Sequence, residues 1–360
     1  MKANQLEYMR ECFRLARMGE GMVSPNPLVG AVLVRGGKII GRGYHRRFGG
    51  PHAEVECLKN ARGQVAGATL YVNLEPCSHF GKTPPCADLI IRSGIRRVVV
   101  ATEDPNPKVS GKGIRRLRSA GVAVDVGVLE EDARDLNRSF FLHIARRRPY
   151  VHVKIAQTLD GMIASRSGRP RWISSRDSRA MVHRWRARYD AVLVGVGTVI
   201  ADDPRLTVRM HRGRNPATVV LDGGLRVPEN AALFEADRRV FVITSTRSLT
   251  RYRSKAKRLE KRGVVLLGIR GSANALDLYQ AMKSLYGQDI GSVLVEGGRE
   301  VFSRFLRDGP VDELSIFLAP TVMGRGIPAV TNASRRNSRV RFSRWSAMPV
   351  GRDILIQAFR

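Results

Sequence analysis

Length, composition and charge limit what kind of protein this chain can be. Its 360 residues, 43% of them hydrophobic, suffice for two globular domains with separate cores. Lys and Arg total 62 against 32 Asp and Glu, and the net charge of +30 makes nucleic acid a candidate partner. No apolar run reaches the roughly 18 residues of a membrane span, and the amphipathic N-terminus does not resemble a secretory signal. We therefore expect a cytoplasmic protein without a membrane partner.

The first half of the sequence alternates predicted helices and strands. A helix over residues 4–18 precedes a β-hairpin that turns at Gly36-Gly37, and a helix is predicted over 53–62. The following elements are the strand ATLYVNLE, the helix ADLIIRSG, the strand IRRVVVAT, the helix GIRRLRSAG, the strand VAVDVGVL and one last helix, EEDARDLNRSFFLHIARR. This order predicts an α/β domain with a largely parallel central sheet and helices on both faces.

A basic run followed by Pro149, ARRRPY, interrupts this alternation and predicts a boundary between domains over residues 1–147 and 148–360. The second series has the predicted strands YVHVKIAQTL, DAVLVGVGTVI, ATVVLD, RRVFVIT, GVVLLGI, SVLVEGG and DELSIFLAP. Its predicted helices are SSRDSRAMVHRWRARY and REVFSRFLRDG. No G-x-G-x-x-G follows a strand, so a Rossmann dehydrogenase is not indicated.

The strongest chemical pattern combines PHAEVECL with NLEPCSHFGKTPPC. His52, Cys77 and Cys86 offer one nitrogen and two thiolates, and three protein ligands leave the fourth position of a catalytic zinc open to water. Zinc lowers the pKa of that water towards neutrality. Glu54, two residues beyond the His, can move protons without binding the metal. His-x-Glu with a later Pro-Cys and a second Cys is typical of zinc nucleobase deaminases.

The spacing of the cysteines departs from that class. Its members have two residues between the cysteines, whereas eight separate Cys77 from Cys86. The longer loop carries His79 and Lys82, which could hold the ring or phosphate of a substrate. The other two cysteines, Cys12 and Cys57, lack such a setting and are interpreted as core residues. Four cysteines in a chain of this length do not indicate a disulfide framework.

Longer motifs run through the chain in a fixed order. The first half contains SPNPLVGAVLV, GRGYH, PHAEVECL, NLEPCSHFGKTPPC and ATEDPNPKVSGKG. The second contains KIAQTLDGMIA, RWISS, AVLVGVGTVIADDPRLTVR, VVLDGGLR, LVEGG and VDELSIFLAP. Over nearly its whole length the chain resembles the bifunctional deaminase–reductases of riboflavin biosynthesis. The resemblance implies an N-terminal cytidine-deaminase-like three-layer αβα domain and a C-terminal dihydrofolate-reductase-like α/β domain.

The resemblance also implies the first reaction and its residues. The first domain would replace the exocyclic amine of 2,5-diamino-6-(5-phosphoribosylamino)pyrimidinone with oxygen. One Zn²⁺ would be held by His52, Cys77 and Cys86, with Glu54 as the catalytic proton carrier. Family positions near the substrate match Asn26, His45, His79, Lys82, Asp104 and Asn106. The segments SPNP and EDPNP are also strong turn formers, so Asn26 and Asn106 could instead be turn residues.

For the second domain the resemblance implies reduction of the ribose to a ribityl chain by NADPH. Family positions that face the cofactor match Ala156, Trp172, Thr198, Gly223, Gly298, Arg299, Glu300, Val301, Phe302, Ser303 and Arg304. Those that face the substrate match Pro170, Arg186, Asp202, Leu206, Arg209 and Glu296. Arg186 and Arg209 suit a phosphate because a guanidinium group makes bidentate contacts, although each could also be a solvated surface arginine.

The chain departs from the family pattern at two positions, and each departure affects one expected contact with the substrate or the cofactor. The family commonly has Ser where this chain has Pro170, which removes a hydroxyl beside the substrate. It commonly has Ser where this chain has Gly223, which puts one cofactor contact in doubt. A hydroxyl is kept at Thr158, where SLDG has become TLDG.

One alternative function remains open from the residues. A transfer-RNA adenosine deaminase with an accessory domain would fit the zinc motif and the net charge. The eight-residue cysteine spacing and the Gly-containing strand ends of the second half count against it. A non-catalytic nucleic-acid-binding protein would leave the zinc motif unexplained. We therefore expect a small-molecule substrate, no specific nucleic acid and, by family resemblance, a homo-oligomer.

Overall fold

The computed structural model of the chain describes residues 3–78, 84–107, 109–165, 172–273, 275–331 and 340–360. The chain divides into two compact units, Met1–Arg147 and Arg148–Arg360. Among the described helices, none is long and apolar enough to cross a membrane.

The first unit contains one five-stranded sheet with helices on both faces. In chain order its elements are α1 (Ala3–Arg17), β1 (Gly30–Arg35), β2 (Lys38–Tyr44), α2 (Ala53–Lys59), β3 (Thr69–Val72), α3 (Cys86–Arg92), β4 (Arg97–Val100), α4 (Lys112–Ser119), β5 (Ala123–Val126), α5 (Glu130–Leu136) and α6 (Arg138–Arg146). The strand order is β2-β1-β3-β4-β5. The β3–β4 and β4–β5 pairs are parallel and the two pairs of β1 are antiparallel, so the expectation of a largely parallel sheet is only half right.

Alternation along the strands divides the core of this unit into two layers. On one face Leu33, Leu70 and Val98 pack beneath α2, α3 and α4. On the other face, Val32 and Val99 pack against α1 and α5. Successive side chains of a strand point to opposite faces, so strands buried on both faces require helices on both. The unit is therefore a three-layer αβα structure.

Two helix predictions in this unit were wrong in extent. The helix predicted over 53–62 ends at Lys59. The single last helix is two, α5 and α6, separated at Asn137. The side chain of Asn137 is buried, accepts a hydrogen bond from the Leu28 amide at 2.8 Å and donates one to the Leu28 carbonyl at 2.9 Å. A contact over 109 residues of sequence therefore fixes the position where the helix breaks.

The second unit is built on a nine-stranded sheet. Its elements are β6 (Tyr150–Thr158), β7 (Met162–Ser165), α7 (Arg176–Arg188), β8 (Ala191–Gly195), α8 (Val196–Asp202), β9 (Ala217–Leu221), a short 3₁₀ helix (Ala232–Phe234), β10 (Val240–Ser245), α9 (Thr246–Arg251), α10 (Arg253–Lys261), β11 (Val264–Ile269), β12 (Gly271–Ser272), β13 (Ala275–Leu276), α11 (Leu278–Tyr286), β14 (Ser292–Val295), α12 (Arg299–Asp308), β15 (Glu313–Ala319), β16 (Gly326–Pro328), β17 (Arg344–Val350) and β18 (Asp353–Phe359).

The strand order of this sheet is β11-β10-β9-β8-β14-β6-β15-β18-β17. All pairs from β11 to β15 are parallel, and the last two pairs are antiparallel. The carboxyl ends of β9, β8, β14 and β6 therefore lie along one edge, where ligands bind in open α/β sheets. Small two-stranded sheets, β7–β16 and β12–β13, complete the described part.

The strand predicted over DAVLVGVGTVI was wrong in its second half. Strand β8 ends at Gly195 and α8 begins at the next residue, Val196. Val196 and Val199 pack into the core on the side of α10, so the apolar run continues into a helix. A short apolar run does not by itself distinguish a strand from a buried helix.

Candidate active sites

Three potential metal ligands converge in the first unit. His52 immediately precedes α2, Cys77 lies in the loop after β3, and Cys86 is the first residue of α3. Nδ1 of His52 is 3.5 Å from Sγ of Cys77 and 3.3 Å from Sγ of Cys86. All three donor atoms lie within 4.8 Å of one another. One imidazole nitrogen and two sulfurs at these separations fit a tetrahedral zinc ion with one position left open.

The protonation of these donors is strongly coupled. The hydrogen bond from the Cys86 side chain, together with His52, lowers the pKa of Cys77 to about 4. The Cys86 backbone N–H also donates to the Cys77 sulfur at 3.3 Å. In turn, Cys77 raises the pKa of His52 to about 9. The protein thus favours a thiolate at Cys77, the form of cysteine that binds metals, and metal binding would release the proton of His52.

Glu54 lies in the first turn of α2 and is 3% exposed. Burial raises its pKa to about 6, and the charge of His52 opposes that rise. A carboxyl group with a pKa close to neutrality can both accept and return a proton. Glu54 is not one of the three clustered donors, so it can serve as a proton carrier beside them.

His45 and Asn26 lie beside this cluster. The ring of His45 meets that of His52 edge to face at 5.7 Å between centroids. Nδ1 of His45 is 2.9 Å from the Pro51 carbonyl oxygen, so this nitrogen carries the proton and donates it. Nε2 can then accept from the Asn26 amide, 3.2 Å away. Burial lowers the pKa of His45 and favours this neutral tautomer.

Glu75 holds the metal-ligand loop against the segment that follows β4. It is 4% exposed, and its carboxylate accepts four backbone N–H groups. The four donors are Asp104 at 3.2 Å, Gly111 at 2.9 Å, Gly113 at 2.9 Å and Ile114 at 3.2 Å. Gly113 approaches so closely that a Cβ there would lie 1.9 Å from the Pro76 carbonyl oxygen. The sequence analysis missed Glu75, although its place between a buried strand and Pro-Cys could have indicated it.

Asp104 and Asn106 lie on the segment that Glu75 holds. The Asn106 N–H donates to the Asp104 carboxylate at 2.7 Å, which is a turn of the Asx type. Burial raises the pKa of Asp104 to about 6, and the charges of Glu75 and Cys77 add to the effect. The turn interpretation therefore holds for this segment, and Asp104 is also electrostatically coupled to the metal-ligand cluster. His79 and Lys82 lie outside the described residues.

In the second unit a cavity of about 620 Å³ lies over the carboxyl ends of β8, β9 and β14. This volume is in the range of small-molecule sites. Several residues expected at the cofactor or substrate line it, namely Thr198, Asp202, Gly223, Gly298, Arg299, Glu300, Val301 and Arg304. Gly223 has no room for a side chain, because a Cβ would lie 2.4 Å from the Ala273 carbonyl oxygen and 2.6 Å from that of Ser272. The β12–β13 segment therefore approaches the backbone at this position too closely for any residue other than glycine.

Other expected cofactor residues do not line this cavity. Trp172 is 76% exposed, stacks on the Arg179 guanidinium at 4.6 Å and borders a separate, open depression. Ala156 packs with Val182 and Phe317. Phe302 and Ser303 are buried within α12. Pro170 lies outside the described residues.

Arg186 and Glu296 form a bidentate ion pair beside the cavity. Nε and Nη2 of Arg186 donate to the Glu296 carboxylate at 2.6 and 2.8 Å, and Nη1 donates to the Thr207 carbonyl at 3.1 Å. The two side chains are only 11% and 7% exposed. Arg186 is therefore committed to orienting Glu296. The exposed Arg209 donates from Nη1 to the Thr207 hydroxyl at 3.1 Å and from its backbone N–H to Nδ1 of His183 at 3.1 Å.

Two further cations, Lys154 and Arg238, and the neutral imidazole of His183 interact with this ion pair. Burial lowers the pKa of Lys154 on β6, whose charge interacts with Glu296 and Arg186. Burial also lowers the pKa of His183 to about 4 and that of Arg238 to about 10, and the charge of Arg186 lowers both further. Arg238 donates to the carbonyl of Leu206 at 3.0 Å. Lys154, His183 and Arg238 were missed by the sequence analysis, because their meeting depends on the sheet rather than on a local motif.

Comparison with known proteins agrees with both sites. Residues 149–356 match the family model of the RibD C-terminal domain, and residues 2–102 match the cytidine and deoxycytidylate deaminase zinc-binding region. The riboflavin biosynthesis protein RibD of Aquifex aeolicus is 47% identical over 321 residues, 89% of this chain and 88% of that protein. Its counterpart in Escherichia coli is 37% identical and covers 97% of both chains.

A solved structure extends the match to three dimensions. The diaminohydroxyphosphoribosylaminopyrimidine deaminase/5-amino-6-(5-phosphoribosylamino)uracil reductase of Thermotoga maritima superposes with a TM-score of 0.85 at 39% identity, covering 99% of this chain and 98% of that one. The chain belongs to the RibD family. It is a bifunctional enzyme of riboflavin biosynthesis with a deaminase and a reductase activity, and the family and fold class expected from the sequence are confirmed.

The hydrogen bonds of Glu75 lead to a prediction about loop stability. Glu75→Gln removes the negative charge of the carboxylate to which four backbone N–H groups donate. A hydrogen bond to a charged group contributes roughly 1.5–3 kcal/mol to stability. We expect the amides of Gly111 and Gly113 to exchange hydrogen about ten- to a hundredfold faster. Hydrogen exchange resolved to single amides measures this effect.

A matched control for this experiment is Glu130→Gln. Glu130 is half exposed and pairs with Arg134, and an exposed pair contributes only about 0–1 kcal/mol. Unchanged exchange at Gly111 and Gly113 in Glu75→Gln would contradict the role given to this carboxylate.

Proposed function

We propose that the first unit deaminates 2,5-diamino-6-(5-phosphoribosylamino)pyrimidin-4-one and that the second then reduces the ribosyl group of the product to ribityl with NADPH. The observation that carries the proposal is the arrangement of His52, Cys77 and Cys86 with Glu54 beside them. The T. maritima relative is named for both activities, matches nearly the whole chain and supports the same pair of reactions.

In the proposed deamination, His52, Cys77 and Cys86 would hold one zinc ion, which would supply a water molecule of lowered pKa. Glu54 is placed to accept a proton beside these ligands and to pass it to the departing amine. Its buried position raises its pKa to about 6, so that the carboxyl can act in both directions near neutral pH. The proton is returned as ammonia leaves, and the carboxylate is regenerated.

The substrate of this step is held by groups around the metal-ligand cluster. We assign Asn26, His45, Asp104 and Asn106 to the substrate, together with His79 and Lys82 of the cysteine loop. Neutral His45 orients the amide of Asn26 through Nε2, and this amide offers the uncharged polar contacts that a pyrimidine edge requires. Lys82 suits the phosphate because it is a flexible cation.

For the reductase, the cavity of about 620 Å³ is assigned to NADPH, which supplies the hydride. The residues proposed to bind NADPH are Ala156, Trp172, Thr198, Gly223 and residues 298–304. The arginines in the cavity wall suit the phosphates of a dinucleotide, and the open Gly298 precedes the N-terminus of α12. The arginines and the backbone N–H groups at the start of α12 fit the phosphates of the cofactor. Trp172 and Ala156 do not line the cavity, so they would contact only a part of NADPH that extends beyond it.

The phosphoribosyl group would lie against the Arg186–Glu296 pair. Arg209 is proposed to bind its phosphate, since Arg186 is already engaged by Glu296 and Thr207. Pro170, Asp202 and Leu206 complete the proposed contacts. Burial raises the pKa of Asp202, which suits a group that assists opening of the sugar ring. The homo-oligomer, the lack of a specific nucleic-acid partner and the cytoplasmic location stay predictions.

The zinc assignment is tested by metal analysis of Cys77→Ser. The wild-type protein is expected to carry about one zinc per chain, and the variant less than about a tenth of that, because a neutral hydroxyl replaces a thiolate. Deamination should fall with the metal. Cys12→Ser is the matched control, since Cys12 is buried on the opposite side of the sheet and donates to the Tyr71 carbonyl, a contact that serine can keep. Equal zinc contents in the two variants would exclude Cys77 as a ligand.

Glu54→Gln separates proton transfer from metal binding. The variant should keep its zinc, because Glu54 is not a ligand, and lose deamination by roughly 10²–10⁴-fold because the amide cannot carry the proton. Oxidation of NADPH with the deaminated substrate should be unchanged. A loss of deamination below about tenfold would assign the proton transfer to another group.

A further inference from the structure

The residues Arg205–Arg209, here called the substrate segment, follow shortly after α8 and include Leu206 and Arg209, two of the proposed substrate contacts. No residue of the segment belongs to a helix or a strand. Its buried backbone groups therefore need hydrogen-bond partners from elsewhere in the protein. Leu206 also has a φ of 53°, in the left-handed region that residues with a side chain seldom adopt. Such a conformation persists only where the surrounding structure holds it.

Arg238 holds the first part of the substrate segment. It lies just before β10, and its guanidinium donates to the carbonyls of Arg205 and Leu206, to the latter at 3.0 Å. Burial and the charge of Arg186 lower the pKa of Arg238 to about 10, so the guanidinium stays protonated near neutral pH. Both contacts are therefore charge-assisted hydrogen bonds, which are stronger than neutral ones. They fix the backbone on both sides of the left-handed residue.

Arg186 and Asn215 hold the middle of the segment. Nη1 of Arg186 donates to the Thr207 carbonyl at 3.1 Å, and the Val208 N–H donates to Oδ1 of Asn215 at 2.8 Å. Because Glu296 engages the other nitrogens of Arg186, the segment is tied to the ion pair beside the cavity.

His183 holds the last residue of the segment. Its Nδ1 accepts the Arg209 N–H at 3.1 Å. His183 lies on α7 three residues before Arg186, so the two side chains share one face of the helix. Its pKa of about 4 leaves the imidazole neutral at pH 7, with a lone pair on Nδ1 and the proton on Nε2. Every residue of the substrate segment thus has a backbone group bound by a side chain from outside it.

We propose that Arg238 and His183 are positioning residues of the reductase, which fix the substrate segment so that Arg209 is presented to the substrate phosphate before binding. Both act through the backbone of the segment. A segment that is ordered in advance loses little conformational freedom when the substrate binds. Without these contacts the competent conformation is only partly populated, and the apparent affinity falls by that fraction. The inference rests on the proposed function, in which Arg209 binds the phosphate.

Equilibrium binding of 5-amino-6-(5-phosphoribosylamino)uracil to the full-length protein tests the role of Arg238. Calorimetry without NADPH gives the dissociation constant, and steady-state kinetics give KM and kcat. In Arg238→Met the dissociation constant and KM should rise about ten- to a hundredfold, because two charge-assisted hydrogen bonds are lost. The kcat should change by less than about twofold, since Arg238 does not touch the reacting atoms.

The matched control is Arg239→Met. Arg239 is the next residue, is exposed and also donates to a backbone carbonyl, that of Gln288 outside the segment. Its variant should bind the substrate as the wild type does. The dissociation constant of NADPH should stay within about twofold in both variants, because no residue of the substrate segment lines the cavity. An equal loss of NADPH and substrate affinity in Arg238→Met would show a general disruption of the unit and contradict the positioning role.

The role of His183 is tested by two substitutions and a double-mutant cycle. His183→Leu removes the acceptor and should raise the substrate dissociation constant about three- to tenfold. His183→Asn should restore most of this loss, because its Oδ1 can accept the Arg209 N–H in place of Nδ1. When Arg209→Ala is already present, His183→Leu should weaken binding by less than about twofold, since the side chain that it positions is gone.

Two results separate this inference from the proposed function. If Arg238→Met and His183→Leu bind the substrate as the wild type does, or if His183→Leu weakens binding equally with and without Arg209→Ala, the positioning roles are overturned while the reductase proposal stands. A wild-type protein that neither binds nor reduces this substrate would overturn the proposed function and the positioning roles together.

Discussion

The convergence of two thiols and an imidazole within 4.8 Å is the constraint on which the first unit depends. Two of these donors lie at the starts of α2 and α3, which pack on the same face of the sheet. The third is on the loop after β3, and the Glu75 carboxylate fastens that loop to the segment carrying Asp104. His52, Glu54 and Cys86 are thus positioned by one layer of helices, and Cys77 by a loop that Glu75 anchors.

Under the proposed function, the second unit has a different task, which is to hold two phosphorylated molecules side by side. Its cations are divided between two places. Arg186 and Lys154 interact with Glu296, whereas Arg226 and Arg304 line the cavity on the side of the β12–β13 segment. The same proposal gives part of the net charge of +30 a local use in binding small phosphorylated molecules. The parallel strand ends bring these groups together because they all meet at one edge of the sheet.

Local patterns predicted most strands and the cluster of His52, Cys77 and Cys86, because a short motif or an alternating apolar run carries that information. The roles of these residues and of Glu54 stay predictions. They failed where distant contacts decide the outcome. Asn137 interrupts a helix because its side chain forms hydrogen bonds with the backbone of Leu28. Helix α8 continues the apolar run of β8, which the sequence pattern had assigned to one strand. The hairpin β17–β18 and the cluster around Lys154 were not predicted, since each depends on pairing across the nine-stranded sheet. The sequence motif around Trp172 also did not predict that this residue lies outside the cavity lining.

We propose that one chain deaminates its substrate with water before it reduces the sugar. Mass spectrometry tests it directly when the wild-type protein acts on the diamino substrate with NADPH in ¹⁸O-labelled water. We expect a ribityl product that has lost the amine, carries one ¹⁸O atom in its place and forms with one NADPH oxidised per molecule. A ribityl product that appears first and still carries the amine would contradict the proposed order, and a deaminated product without the label would contradict hydrolysis by water.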